Sequence, residues 1–304
     1  MDTVHNILER LRTLRDMHGF RHVFVVVDPL CASVPLESWS ERVPSGRQWA
    51  LRDPQMRDAA FPCPKMLALG EDSDALLEET IRAAGAADDA GAKAMPNPAV
   101  CGWLFARGIA ADVPRHLVAA MQQRNARFEP VLLRYIDPRV LPRLNRFLEP
   151  EQRQQLLGPI EHWFALDRFG HLADLQTQPP APYVPPGLTL TEQQWARIAS
   201  LESFNRSLAA YGKTMGAPLP AAREDEMDAA IARAAQSGIT LVPDVMTFAL
   251  YSLIVHPEFD RHPAVAQAMA GAGTQGTALA DLLDQLPEQV WSELKHVGSE
   301  GVGA

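Results

Sequence analysis

Cysteine is scarce in this chain: Cys31, Cys63 and Cys101 are the only three among 304 residues. Their odd number, without a Cys-x-x-Cys pair or Cys/His ligand spacing, argues against a disulfide framework and a zinc site and favours a reducing compartment. Long apolar runs are missing as well. Near the N-terminus the longest strongly apolar run is VFVVV, residues 23–27, far short of the ~20 residues of a membrane span. The opening MDTVHNILERLRTLRDMHGF lacks the apolar centre of a secretory signal, so a cytoplasmic protein with no membrane partner is expected. Basic charge is also short. The net charge is −9, with 21 basic against 23 acidic residues over 1–176 and 7 against 14 over 177–304. No broad basic field is available for nucleic acid.

Signatures of catalysis are equally thin. There is no Gly-x-Ser-x-Gly elbow, and His256 and His262, each followed by proline, are not spaced as a His-x-x-x-His metal pair would be. GAGTQG, residues 271–276, fits Gly-x-Gly-x-x-Gly, but the helical pattern AVAQAMA precedes it where a dinucleotide site needs a strand. It reads as an inter-helix loop. YGKTMG, residues 211–216, contains Gly-Lys-Thr, yet Ser207 stands where a phosphate loop needs its first glycine, and a helix end is the simpler reading. Cys63 sits between two prolines with no histidine nearby in sequence. Asp28 closes an apolar strand, where phosphoryl-transfer enzymes place a nucleophile or metal ligand. Followed by Pro29 and Leu30, with no second aspartate two positions on, it reads instead as a turn-forming Asp-Pro. No catalytic residue, metal or cofactor is expected. The alternative is a small-molecule or nucleotide-dependent α/β enzyme with its site near Asp28.

What is present divides the chain. At ~100 to 200 residues per domain the length suggests two domains. The first, residues 1–176, begins with an amphipathic helix stopping at Gly19 and continues with VFVVV as a buried strand. Residues 33–62 lack a clear period and read mostly as loop. CPKMLALG then reads as a strand, DSDALLEETIRAAG as a helix capped by Asp72 or Ser73, and VCGWLFARG as a strand. VPRHLVAAMQQRNA follows as a helix with Pro114 in its first turn, PVLLRYI as a fourth strand, and IEHWFALDRFGHLADLQ as two strands about an Asp-Arg-Phe-Gly turn. This alternation predicts an α/β, or mixed α+β, lobe with a mostly parallel or mixed sheet. The proline-rich stretch 177–187 reads as a linker, and residues 188–304 as an all-helical lobe. That lobe opens on a helix from a capping box at Thr191 and Gln194 to Gly212, with further helices near 223–237, 243–255, 261–270, 277–285 and 287–297.

The segment LLRYIDPRVLPRLNRFLEP, residues 132–150, gathers charge at an apolar junction. Asp137 before Pro138 is a helix-entry signal, since the carboxylate can accept orphan backbone N–H groups and proline lacks the donor that would be orphaned. Pro142 puts the start of the helix proper near Leu141. Arg139, Arg143 and Arg146 then fall on one face, opposite Leu141, Leu144 and Leu148. As a strand, Arg134 and Ile136 would share one face, and Leu133 and Tyr135 the other. Two roles fit: Asp137 paired with Arg134 or Arg139 pins the junction, or the arginines form a stripe that binds a partner.

The early strand ending VVVDP, the CPKMLAL strand, the Gly102–Trp103 pair, RHL at 115–117, LLRYIDPRVL and EQRQQLLGPIEHW together resemble the adaptor chaperones of bacterial type VI secretion, a family long labelled a domain of unknown function. The resemblance covers about residues 20–165, and LRYIDPRVL with LLGPI is its most specific part. It implies a non-enzymatic role: such adaptors hold a cognate toxin effector in the producing cell and help load it onto the secretion spike, the VgrG trimer or its PAAR tip. It carries over Arg134, Tyr135, Asp137, Pro138 and Arg139 as hallmarks, without saying whether they touch a partner or hold the fold.

Overall fold

The computed structural model describes residues 2–31, 34–53, 62–86, 99–177, 187–270 and 277–300. Among these, residues up to Ile198 form one compact unit and those from Ala199 onward a second. The proline-rich stretch from 178 to 186 and the GAGTQG loop lie outside the described residues.

The first unit opens on α1 (Val4–His18), which Thr3 caps by accepting from Asn6 N at 3.2 Å and left-handed Gly19 ends at φ 66°. Then come β1 (Val23–Val27), α2 (Leu36–Glu41), β2 (Gln48–Ala50), β3 (Lys65–Leu69), α3 (Asp74–Ala86), β4 (Val100–Ala106) and α4 (Asp112–Met121). A short ribbon of β5 (Gln122–Arg124) and β6 (Pro130–Leu132) leads to α5 (Leu141–Phe147) and α6 (Pro150–Leu157). The hairpin of β7 (Ile160–Leu166) and β8 (Leu172–Gln176) and the helix α7 (Glu192–Ala199) follow. The stretch 33–62, expected to be loop, thus holds α2 and β2.

The main sheet has the order β2-β3-β1-β4-β7-β8, and every neighbouring pair is antiparallel. The expected parallel or mixed sheet is therefore wrong. Helix α3 does carry the chain from β3 to a strand of the same direction, β4, but β1 lies between the two and pairs antiparallel with both. Helix-linked alternation in sequence is the same whether or not a third strand slots into the gap. Every residue of β1 is buried, because both faces of the sheet are covered, which explains a continuous apolar run instead of alternation. One face packs against α1 and α3 through Leu8, Leu11, Leu77 and Ile81.

Two further expectations fail around residue 125. The helix read as VPRHLVAAMQQRNA ends at Met121, and of PVLLRYI only Pro130–Leu132 is strand. Both segments turn into the β5–β6 ribbon, whose base closes where Leu133 N donates to Met121 O at 2.7 Å. Arg134, Tyr135 and Ile136 are not in a strand, and Leu133, Tyr135 and Ile136 are all buried.

Two stretches of the family resemblance meet in the fold. His116, on α4, is fully buried, and its Nε2 donates to Leu156 O at 2.9 Å. The ring lies against Gly158, where φ is 55° and a Cβ would collide with the imidazole. Burial holds the His116 pKa below its usual value, against a smaller opposing pull from the Leu156 carbonyl. The folded state therefore resists the proton that the unfolded chain accepts. Stability is full above about pH 6.5 and falls as the pH drops below it. His116→Gln keeps a donor for Leu156 O, and we expect it to reduce this loss. Urea midpoints measured at about pH 7.5 and about pH 5.5 test it, and the same loss in parent and variant would refute the role.

The second unit is helical: α8 (Leu201–Met215), α9 (Glu224–Gln236), α10 (Val242–Ile254), α11 (Pro263–Met269), α12 (Leu279–Asp284) and α13 (Glu288–Glu300). Its core gathers Phe204, Met227, Ile231, Phe248, Phe259 and Leu283. The helix expected from Thr191 to Gly212 is two helices, divided at Ser200. Gly212 and Lys213 lie within α8, whose left-handed cap is Gly216 at φ 71°. Asp244 is buried and accepts from Leu279 N at 2.8 Å, tying the start of α12 to α10. No described helix is long and apolar enough to cross a membrane.

Candidate partner-binding site

The charged residues of LRYIDPRVL form two ion pairs beside the end of β1. Asp28 is completely buried: its backbone N donates to Ala99 O at 2.7 Å, and its Oδ1 accepts from Leu30 N at 3.0 Å. Its Oδ2 accepts from the Arg134 guanidinium, whose side chain remains 38% exposed. Asp137, also buried, holds Arg139. Oδ1 accepts from Arg139 N at 2.8 Å and Nε at 2.9 Å, while Oδ2 accepts from Nη2 at 2.6 Å. This bond keeps the Arg139 pKa above its usual value. Of the two partners open to Asp137 in sequence, the fold selects Arg139 and gives Arg134 to Asp28, which lies 106 residues away in the chain.

The junction itself is a run of turns. Tyr135 N donates to Leu133 O, Asp137 N to Arg134 O, and both Val140 N and Leu141 N to Asp137 O. Helix α5 starts at Leu141 with Pro142 in its first turn, and its N-cap is Val140, with no side-chain cap. The Asp137 carboxylate therefore caps the turn before the helix, not the helix. Leu141, Leu144 and Leu148 are buried as expected, while Arg143 is half-buried and Arg146 exposed. Arg139 precedes α5 and turns back to Asp137, so helical spacing does not apply to it and the three arginines are no continuous stripe. We expect Asp137→Ala to lower stability by about 1 to 2 kcal/mol more than Arg143→Ala, from the lost turn cap and its charged partner. Equal denaturation midpoints for the two variants would refute this.

Tyr135 is wholly enclosed, its ring 5.9 Å from Trp163, and its hydroxyl has no hydrogen-bond partner among the described residues. Burial pushes its phenol well above the ordinary range. It belongs to the core, out of a partner's reach. Trp163 Nε1 donates to Cys101 O at 3.3 Å, beside Gly102. Gly102 itself has φ 147°, and a Cβ there would collide with the Phe164 carbonyl and the Trp163 indole. On the opposite face Trp103 Nε1 donates to Thr80 Oγ1 of α3 at 3.0 Å. The Gly-Trp pair thus admits one indole on one face and sends another into the other.

Two thiols lie near these pairs. Burial, then the Asp28 charge, raises the Cys31 pKa to about 12, and the same causes raise that of buried Cys101 well above its usual value. Both are held as neutral thiols. Asp28 has both oxygens occupied and no exposed surface. Among the described residues no group of three or more His, Cys, Asp or Glu could hold a metal ion.

A feature missed in sequence is the tip of the β5–β6 ribbon. Asn125 Oδ1 accepts from Arg127 N at 2.9 Å and Glu129 N at 3.0 Å, and Asn125 Nδ2 donates to Glu129 Oε2 at 2.8 Å. Phe128 at this tip has φ 60°, the one described non-glycine residue with positive φ, and is 78% exposed. An asparagine three residues before a strained position was the only available signal.

Residues 23–155 match the model of a family described as Domain of unknown function (DUF4123). The match runs from β1 into α6 and takes in VVVDP, CPKMLAL, Gly102–Trp103, RHL and LRYIDPRVL, ending just before LLGPI. No curated protein and no solved structure matches the chain.

Proposed function

We propose that this chain is an adaptor chaperone of bacterial type VI secretion. It binds a cognate toxin effector in the cytoplasm and helps load it onto the VgrG/PAAR spike. The observation that carries this reading is the family match over residues 23–155, which contains the LRYIDPRVL segment typical of such adaptors. The alternative, an α/β enzyme acting through Asp28, has less behind it, because that carboxylate is enclosed and already bonded to Arg134 and Leu30. The test is co-expression with the product of the gene beside this one, followed by affinity purification and size-exclusion chromatography. Co-elution at fixed stoichiometry is the expected result. Separate elution, or turnover of a small substrate abolished by Asp28→Asn in a folded variant, would overturn the reading.

A further inference from the structure

Resting on the adaptor reading, we infer that the β5–β6 ribbon is a docking finger, with Phe128 as the anchor that enters an apolar pocket with an acidic rim on the effector. The conformation of Phe128 is the first ground. A bulky residue at φ 60° is disfavoured sterically, and such strain persists only where surrounding bonds impose it. Here they do: Phe128 N donates to Asn125 O at 2.8 Å, and Phe128 O accepts from Arg124 Nη1 at 2.8 Å. The bonds hold the backbone, yet the ring gains no burial from it, being 78% exposed. A strained turn that displays an aromatic ring in water suits a preorganised contact better than a core.

The second ground is the root of the ribbon. Gln123 is buried and faces inward: its Nε2 donates to Ala120 O at 2.8 Å and its Oε1 accepts from Leu188 N at 3.2 Å. The opposite face, with Arg124, Pro130 and Leu132, is exposed. The finger is therefore fixed at its base, with Pro130 and Leu132 exposed beside Gln122 and Arg124 on its outer side, and aromatic anchors held in advance lose little freedom on binding.

Charge selects the occupant. Residues 122–132 hold Arg124 and Arg127 against the single acid Glu129, in a chain of net charge −9. An acidic rim on the partner is attracted to this locally basic tip, a preference that charge complementarity turns into specificity.

The experiment uses the full chain and the product of the neighbouring gene, with affinity measured by titration calorimetry at two salt concentrations. Phe128→Asn suits the backbone, since asparagine tolerates the left-handed region. Its melting temperature should equal or exceed the parent's, while affinity falls by about thirtyfold, the loss of one hot-spot residue. Arg127→Glu should weaken binding most at low salt. Phe128→Asn binding within about twofold of the parent, or Arg127→Glu showing no salt-dependent loss, would overturn the docking finger while leaving the adaptor reading intact. A parent that does not bind overturns both.

Discussion

Arg134→Met should destabilise the N-terminal unit by about 3 kcal/mol, and Asp28→Asn by clearly less. The asymmetry comes from burial. Removing Arg134 strands a carboxylate with no exposed surface and, among the described residues, a single remaining donor, Leu30 N, and breaking a buried pair from that side leaves an uncompensated charge. Removing the charge from Asp28 leaves a guanidinium that is 38% exposed and can turn to water. The asparagine still offers an acceptor to Leu30 N. The double variant should regain most of what Arg134→Met loses, because the stranded charge is gone. Urea titrations of the parent, both single variants and the double variant, followed by tryptophan fluorescence, measure this. Equal losses in the two single variants, or a double variant no better than Arg134→Met, would show that the pair does not hold the junction.

Gly102→Ala should cost about 4 kcal/mol, combining backbone strain with overpacking. At φ 147° an L-residue is strained whatever the space, and here there is none. The Phe164 carbonyl that the new methyl group meets is backbone of β7, paired with β4 through Trp103 and Phe164. Relief requires β4 and β7 to separate or the Trp163 indole to leave its bond to Cys101 O. Either outcome should show as an altered near-ultraviolet dichroism spectrum together with a lowered urea midpoint. Gly85→Ala is the control: it lies in α3 with open space around its Cα, and alanine favours helix by about 1 kcal/mol over glycine. A Gly102→Ala variant as stable as that control would mean that β4 does not approach β7 as described.

The sites of these two substitutions differ in how far the sequence announced them. The Gly-Trp pair and the LRYIDPRVL cluster stand out along the chain, and Asp137 with Arg139 is a local contact that two-residue spacing makes plausible. The partner of Arg134 was hidden. Asp28 displays only an Asp-Pro turn signal, and its pairing needs residues distant in sequence to converge at one end of the sheet. Phe128 was hidden for another reason. Reading a helix through Asn125 gave that residue no turn to close, whereas the structure makes it the centre of one.

By itself the sequence determined the apolar strands β1, β3 and β4, the Asp-Arg-Phe-Gly hairpin, the amphipathic α1 and α5, and the helical C-terminal part, because each follows from local periodicity and turn chemistry. Tertiary structure alone decided that β1 enters between β3 and β4 and makes the sheet antiparallel, that Asp28 claims Arg134, and that His116 rests on Gly158. Strand order, buried charge pairing and close packing depend on which distant segments share a space, and local pattern is the same for every such arrangement.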